Sequence, residues 1–315
     1  MSNAQHLIIP YAHAPGLAVG PGTAAGELPT LRRLLTRLQP GPLLAGEAQD
    51  LSPPHERALA QALGLPVPDG AIPWAAWERA QSGQAPGDEA WAWITPCHWH
   101  VARDHILMHP IDTLQLDETA SRTLLAAIAP YFQEDGISLD YVAPTRWLAR
   151  GAVFRDLTCA SLDRVVGRHV DDWLPRAAAA RPLRRLQQEM QMLLYTHPVN
   201  EAREAAGLSP INSFWVSGAG ALDAVPATTS PVQVDERLRP CALANHADEW
   251  AAQWRALDTQ VLPGLLAALD AEHPIALTLC GERHARTWAT PSPRGWQRVI
   301  RLLRPPSVVK ALEAL

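Results

Sequence analysis

The sequence predicts an α/β protein with a mixed central sheet flanked by helices, and three observations carry that expectation. Short apolar runs at residues 6–10 and 274–280 read as buried strands. Residues 181–195 carry an amphipathic helical pattern, with Leu183, Leu186, Met190, Leu193 and Leu194 at helical spacing. Strand-like segments near 91–108 and 137–149 alternate with further helical stretches, the order from which helix-flanked sheets are built.

In chain order, His6-Leu7-Ile8-Ile9-Pro10 is the first strand and residues 12–26, rich in glycine, proline and small side chains, form a loop. Helices follow at 28–38 and 53–63, the second with Ser52 placed to cap and Pro53 at the first helical position. A short helix is expected at 74–80 and a Gly/Pro loop at 82–88. That loop divides an N-terminal part, 1–88, from a main α/β part, 89–315, unless the chain is one continuous domain. Residues 91–95 and 98–108 read as strands. Asp117 caps a helix running to Phe132, with Gly136 beyond its end. Strands at 137–142 and 145–149 pair across Ala143-Pro144, and Ser161 caps a short helix into Gly167. After the helix at 181–195 come a short helix at 200–206 stopped by Gly207, a strand at 212–216, and helices at 247–257 and 263–269 broken at Pro263. A buried strand at 274–280 and a helix at 308–315 complete the order.

Bulk properties narrow the function. The net charge of -5 and the absence of clustered Lys and Arg argue against a nucleic-acid surface. No apolar run approaches the ~18 residues of a membrane span, and residues 1–14 have no signal-peptide pattern. Cys97, Cys159, Cys241 and Cys280 lie far apart without a C-x-x-C pair, so neither a zinc ribbon nor a thioredoxin-type site is expected. Together these imply a cytoplasmic protein without cofactor, nucleic-acid or membrane partners. Tryptophans recur in pairs, Trp74/Trp77, Trp91/Trp93 and Trp250/Trp254, whose spacing sets each pair on one face. Core packing is the ordinary reading; a tryptophan-rich surface for a protein partner is the other.

Three constellations could carry chemistry. In Cys97-His98-Trp99-His100, followed by Asp104, His105 and His109, a strand would set His98 and His100 on one face, a spacing that can grip a metal ion. Asp104 or a remote carboxylate such as Glu282 would complete the set, whereas an imidazole-rich, half-exposed strand is the plainer account. Residues 196–220, T-H-P-V-N-E-A-R-E-A-A-G-L-S-P-I-N-S-F-W-V-S-G-A-G, concentrate polar side chains at two helix-to-strand transitions. Here Asn200 and Arg203 could hold a phosphate or carboxylate, and Gly218 and Gly220 could offer N–H groups to it. The structural alternative gives Asn200 a cap, Arg203 an ion pair and the glycines a turn. Finally, Cys280-Gly281-Glu282-Arg283-His284 follows a buried strand, yet a Cys–His offset of four rarely meets, so Cys280 reads as a buried thiol. No G-x-S-x-G, Walker A or G-x-G-x-x-G motif is present.

The run H-P-V-N-x-x-R-x-x-x-G-x-x-P-x-N-S-x-W-x-x-G-x-G resembles the corresponding segment of archaeal-type, cofactor-independent phosphoglycerate mutases. Over most of its length the chain is similar to the proteobacterial RpfE-type regulatory proteins, through C-H-W-H-V-A-R-D-H-I, L-Y-T-H-P-V-N, N-S-F-W-V-S-G and L-T-L-C-G-E-R-H-A. The mutase resemblance implies a reduced alkaline-phosphatase-like core, and with it two metal ions and a Ser or Thr nucleophile. Where such mutases end their first strand in Asp-Gly, this chain has Pro10-Tyr11; where they end a late strand in Asp-His, it has Cys280-Gly281.

The expected function is therefore regulatory or ligand-binding, a mutase-like protein without turnover. His197, Asn200, Arg203, Asn212, Gly218 and Gly220 would line a site for a phosphorylated or carboxylate small molecule, with Arg203 as the anion contact. The rival is a metal-dependent phosphomutase or hydrolase, a mutase-like isomerase, using His98, His100, Asp104 and Glu282.

Overall fold

A computed structural model describes residues 5–17, 28–84, 87–103, 105–226, 231–291 and 307–315. The chain is mixed α/β and divides into two compact units: Met1–Gln49, Pro53–Gly64 and Ala227–Leu315 form the first, Asp50–Ser52 and Leu65–Pro226 the second. Residues 82–84, 87 and 88 belong to the second unit.

The first unit holds the mixed sheet. Strands β1 (Gln5–Ile9), β2 (Gln39–Leu44), β9 (Val232–Val234), β10 (Ile275–Cys280) and β11 (Ala285–Ala289) are ordered β2-β11-β10-β1-β9. β1 is parallel to β9 and β10; β11 is antiparallel to β10 and β2. Leu7 and Ile9 face a large core with Leu31, Leu34 and Leu35 of α1 (Pro29–Arg37), Trp250 and Trp254 of α9 (Ala247–Ala256), and Leu265, Leu266 and Leu269 of α10 (Leu262–Asp270). Ile8 points to the other face, where Ala58 of α2 (Pro54–Leu63) covers it. Both faces are buried, which is why β1 and β10 read as unbroken apolar runs. Helices α8 (Leu238–Leu243) and α11 (Val308–Glu313) pack on the α1 side through Leu238 and Leu312.

Three local expectations change here. Pro53 itself is the N-cap of α2, without a side-chain bond, and the Ser52 hydroxyl instead accepts the Gly70 N–H at 2.9 Å. Pro263 does not break the chain's course, because its missing N–H falls in the first turn of α10; a π-helical turn, Leu257–Val261, joins α9 to α10. The strand β2 was not visible in Q-P-G-P-L-L; proline is tolerated there because β2 is an edge strand.

A buried threonine and two half-buried polar side chains cross this sheet. His6 Nε2 meets Thr278 Oγ1 at 2.7 Å, and Thr278 meets Thr287 at 2.7 Å. Burial lowers the His6 pKa below the ordinary imidazole value. The unfolded chain then binds the proton first on acidification, so stability falls as pH drops below about 6.5 and keeps falling until the folded His6 titrates. Urea midpoints at pH 7.5 and 5 are expected to differ less in His6→Gln than in the parent; an equal difference would show that His6 contributes none of the acid sensitivity.

The second unit holds an antiparallel sheet ordered β6-β7-β3-β8, from β3 (Ala90–Cys97), β6 (Ser138–Ala143), β7 (Arg146–Arg150) and β8 (Ser213–Ala221). Ala90, Ala92 and Ile94 alternate into a core with Leu124, Ile128 and Phe132 of α4 (Glu118–Glu134) and Leu183, Leu186 and Met190 of α6 (Arg181–Tyr195). Asp117 caps α4 by accepting the Ala120 N–H, as its sequence predicts. Trp91 and Trp93 face the opposite side, where Arg79 of α3 (Trp74–Gln81) stacks over Trp91 and Arg146 over Trp93. The expected strand at 98–108 is instead a hairpin, β4 (Trp99–Val101) and β5 (Ile106–Met108), paired antiparallel. Short helices α5 (Leu162–Val165), capped by Ser161, and α7 (Pro198–Ala205) complete the unit.

Candidate functional site

Parallel strands in α/β sheets deliver ligand-binding groups at their carboxyl ends. In the first unit these ends are Pro10 to His13 after β1, Asp235 to Arg237 after β9, and Gly281 to His284 after β10. The Ala12 N–H donates to the Cys280 carbonyl at 2.7 Å, tying the first and last of these together. Tyr11 adopts the left-handed region with φ 53. Its carbonyl and that of Ala12 accept the indole N–H groups of Trp250 and Trp254 at 2.9 and 3.2 Å.

The side chains at this edge are largely committed. Tyr11 is buried against the His55 ring. The Asp235 carboxylate accepts from Arg237 Nε at 2.8 Å, and His284 Nδ1 accepts the Gly46 N–H at 3.1 Å. Cys280 is fully buried, and burial drives its thiol pKa far up, so it is no nucleophile at neutral pH. Burial lowers the His13 pKa, partly offset by Glu313 and Glu282. Glu282 belongs to this unit and His98 and His100 to the other, and Asp104 lies outside the described residues.

In residues 196–220 the polar side chains expected to face an anion instead hold main chain. His197, not Asn200, caps α7, its Nδ1 accepting the Val199 N–H. Asn200 is 2% exposed, and its amide holds main chain on both sides. Nδ2 donates to Leu194 and Ile211 carbonyls at 2.9 and 2.8 Å, and Oδ1 accepts the Ile211 N–H at 2.8 Å. Arg203 is 6% exposed and donates from Nε to Ser209 O and from Nη2 to Leu114 O. A guanidinium turned inward onto carbonyls is not presented to a solvent-borne anion. Asn212 brackets Trp99, accepting its N–H at 2.8 Å and donating to its carbonyl at 2.9 Å.

The glycines also serve packing. Two residues of β3, Trp91 and Trp93, pair with Gly220 and Ser217, so β8 carries a bulge. Gly218 has φ 60, and a Cβ there would sit 2.9 Å from the Trp74 Cβ; one on Gly220 would sit 2.9 Å from the Pro73 Cβ. They let the start of α3 approach the sheet.

What this polar segment supports is a histidine cluster. The β4–β5 hairpin returns His109 beside His98 and His100, with the His109 N–H donating to the His98 carbonyl at 3.0 Å. Ring centroids are 4.6 Å apart for His98–His109 and 5.5 Å for His100–His109. Burial lowers the His98 and His109 pKa values, and neighbouring imidazoles lower both further. His98 Nδ1 lies 2.8 Å from the Pro210 carbonyl, within the loop that Asn200 and Arg203 hold. The His98–His100 half of this cluster follows from the H-x-H spacing; His109 needs the turn, which no strong turn dipeptide announces.

The tryptophans are mostly interior. Trp91, Trp93, Trp99, Trp147, Trp215, Trp250, Trp254 and Trp288 are each at most 7% exposed, whereas Trp74 and Trp77 are half-buried. Among the described residues, no helix is long and apolar enough to cross a membrane.

The chain is 29% identical over 131 residues to a 2,3-bisphosphoglycerate-independent phosphoglycerate mutase of Methanothrix thermoacetophila, a match covering 38% of this chain and 30% of that protein. It is similar in structure, at TM-score 0.40 and 15% identity, to the cofactor-independent phosphoglycerate mutase of Thermoplasma acidophilum DSM 1728, over 93% of this chain and 91% of the other. A second similarity, at TM-score 0.44 and 13% identity, is to the PH0037 protein of Pyrococcus horikoshii, over 93% and 88%. No protein-family model matches.

Proposed function

We propose that this chain is a regulatory or ligand-binding relative of the phosphoglycerate mutases, of the RpfE-type kind, that does not turn over substrate. The weak sequence similarity to a mutase gives the starting point. The observation that carries the reading is the corner between β1 and β10, which is packed as core. Ala12 is hydrogen-bonded to Cys280, both flanking carbonyls are bound by buried indoles, and Tyr11 fills the turn. Two-metal phosphoryl transfer needs clustered carboxylates open to substrate. The described residues at this corner do not fit such a set: Asp235 is 9% exposed and bound by Arg237, Cys280 is a buried thiol, and Glu282, His284 and His13 do not converge with a third ligand into a metal-sized group.

The decisive assay incubates tag-free protein with phosphoglycerate in magnesium, manganese, cobalt or zinc. No turnover is expected with any of them. Multiple turnovers per chain, abolished by a chelator, would overturn the reading and make the chain a mutase-like isomerase. Phosphoglycerate and other small phosphorylated or carboxylate compounds serve as binding probes in thermal-shift titrations. A saturable rise is expected with at least one, and a flat response to all would remove the small-molecule half of the reading.

A further inference from the structure

Among the described residues, one group of three or more metal-ligating side chains converges, and it belongs to the second unit, whereas the β1–β10 corner belongs to the first. His98, His100 and His109 each offer a ring nitrogen, and those atoms all lie within 4.8 Å of one another. We propose that these three imidazoles form a binding site for a divalent transition metal of the zinc class, with a fourth coordination position open to water or an exchangeable anion.

The donor set favours this chemistry. Neutral imidazole is a borderline ligand suited to zinc, copper, nickel and cobalt, whereas calcium and magnesium take oxygen donors. Three histidines with a vacant fourth position are a recurring arrangement for zinc that keeps an exchangeable ligand. At zinc–nitrogen distances of about 2.0–2.1 Å, two ligands of a tetrahedral ion stand roughly 3.3 Å apart. The cluster must therefore contract by at most about 1.5 Å in any pair, within reach of side-chain rotation at the exposed His100 and the half-buried His109.

Orientation of His98 is built in. A carbonyl can only accept, so the 2.8 Å contact with Pro210 puts the proton on Nδ1 and leaves the Nε2 lone pair for a metal. Ligating histidines are ordinarily fixed by this kind of outer-shell carbonyl. The support is layered behind it: Arg203 holds Ser209, Asn200 holds Ile211, and Asn212 clamps Trp99 between His98 and His100. The hairpin itself is closed by the His109–His98 main-chain bond. Three imidazoles fixed this closely repel one another when protonated, whereas a shared cation draws all three lone pairs together.

The test titrates tag-free, chelator-stripped full-length protein with cobalt(II) alone, followed by zinc in competition. One cobalt per chain is expected, with the visible absorption of a four- or five-coordinate nitrogen-ligated ion, displaced by one equivalent of zinc. His100→Ala is expected to weaken binding by at least ~100-fold, at or beyond the upper end of what losing an outer-shell partner does. Its exposed position leaves the melting temperature of the metal-free protein unchanged. His109→Gln is expected to lose the cobalt spectrum likewise. No cobalt or zinc uptake by the parent, or equal affinity in His100→Ala, would overturn the proposal. The absence of turnover would not bear on it, because the cobalt spectrum is read without substrate.

Discussion

Asn200→Ala is expected to destabilise the second unit by about 3–5 kcal/mol. The substitution removes one amide that satisfies three main-chain groups: the N–H and carbonyl of Ile211 and the carbonyl of Leu194. Each buried polar group left unpaired costs roughly 1–3 kcal/mol, and at 2% exposure water does not replace the lost partner. Asn200→Asp keeps the Ile211 N–H bond but faces two carbonyls with a carboxylate, so it is expected to fare no better. Urea unfolding followed by tryptophan fluorescence measures this. A loss under about 1 kcal/mol in Asn200→Ala would mean the amide is not the strut described above. The same experiment separates the structural role of residues 196–220 from a ligand role, since a pocket-lining amide would leave stability unchanged.

Asp258→Ala is the second large effect, expected at about 3 kcal/mol in the first unit. Helix α1 has Leu28 at its N-cap and no side-chain cap of its own. Its first free N–H groups, on Thr30 and Leu31, donate instead to the Asp258 carboxylate at 3.1 and 2.8 Å. Asp258 is 2% exposed and lies in the π-helical turn between α9 and α10. Hydrogen bonds to a charged acceptor contribute about 1.5–3 kcal/mol each, and a carboxylate at a helix N-terminus is further favoured by the macrodipole. Asp258→Asn retains one acceptor without the charge and is expected to recover part of the loss. Hydrogen exchange at Thr30 and Leu31 gives a local readout: both amides should exchange faster in Asp258→Ala, and unchanged protection there would contradict the cap.

The sequence by itself determined those features whose cause is local. The apolar runs of β1 and β10 mark strands buried on both faces, and helix α6 begins and ends where its leucine spacing predicts. Asp117 and Ser161 cap the helices they precede, because a cap and its N–H partner are two or three residues apart. The polar density of 196–220 was equally legible as a segment with a special task. Which task was not, because the partners that assign it are remote: Arg203 reaches Leu114, Asn212 reaches Trp99, and His98 reaches Pro210. The H-x-H spacing named two members of the histidine cluster, but His109 joins them through a hairpin turn, and the carboxylates the spacing suggested are not among its described members. Edge strands β2 and β9 escaped because one is proline-rich and the other three residues long, and both exist through pairing. Tertiary structure decided these points for one physical reason. A buried donor must find an acceptor somewhere, but which residue supplies it is set by the packing of distant elements.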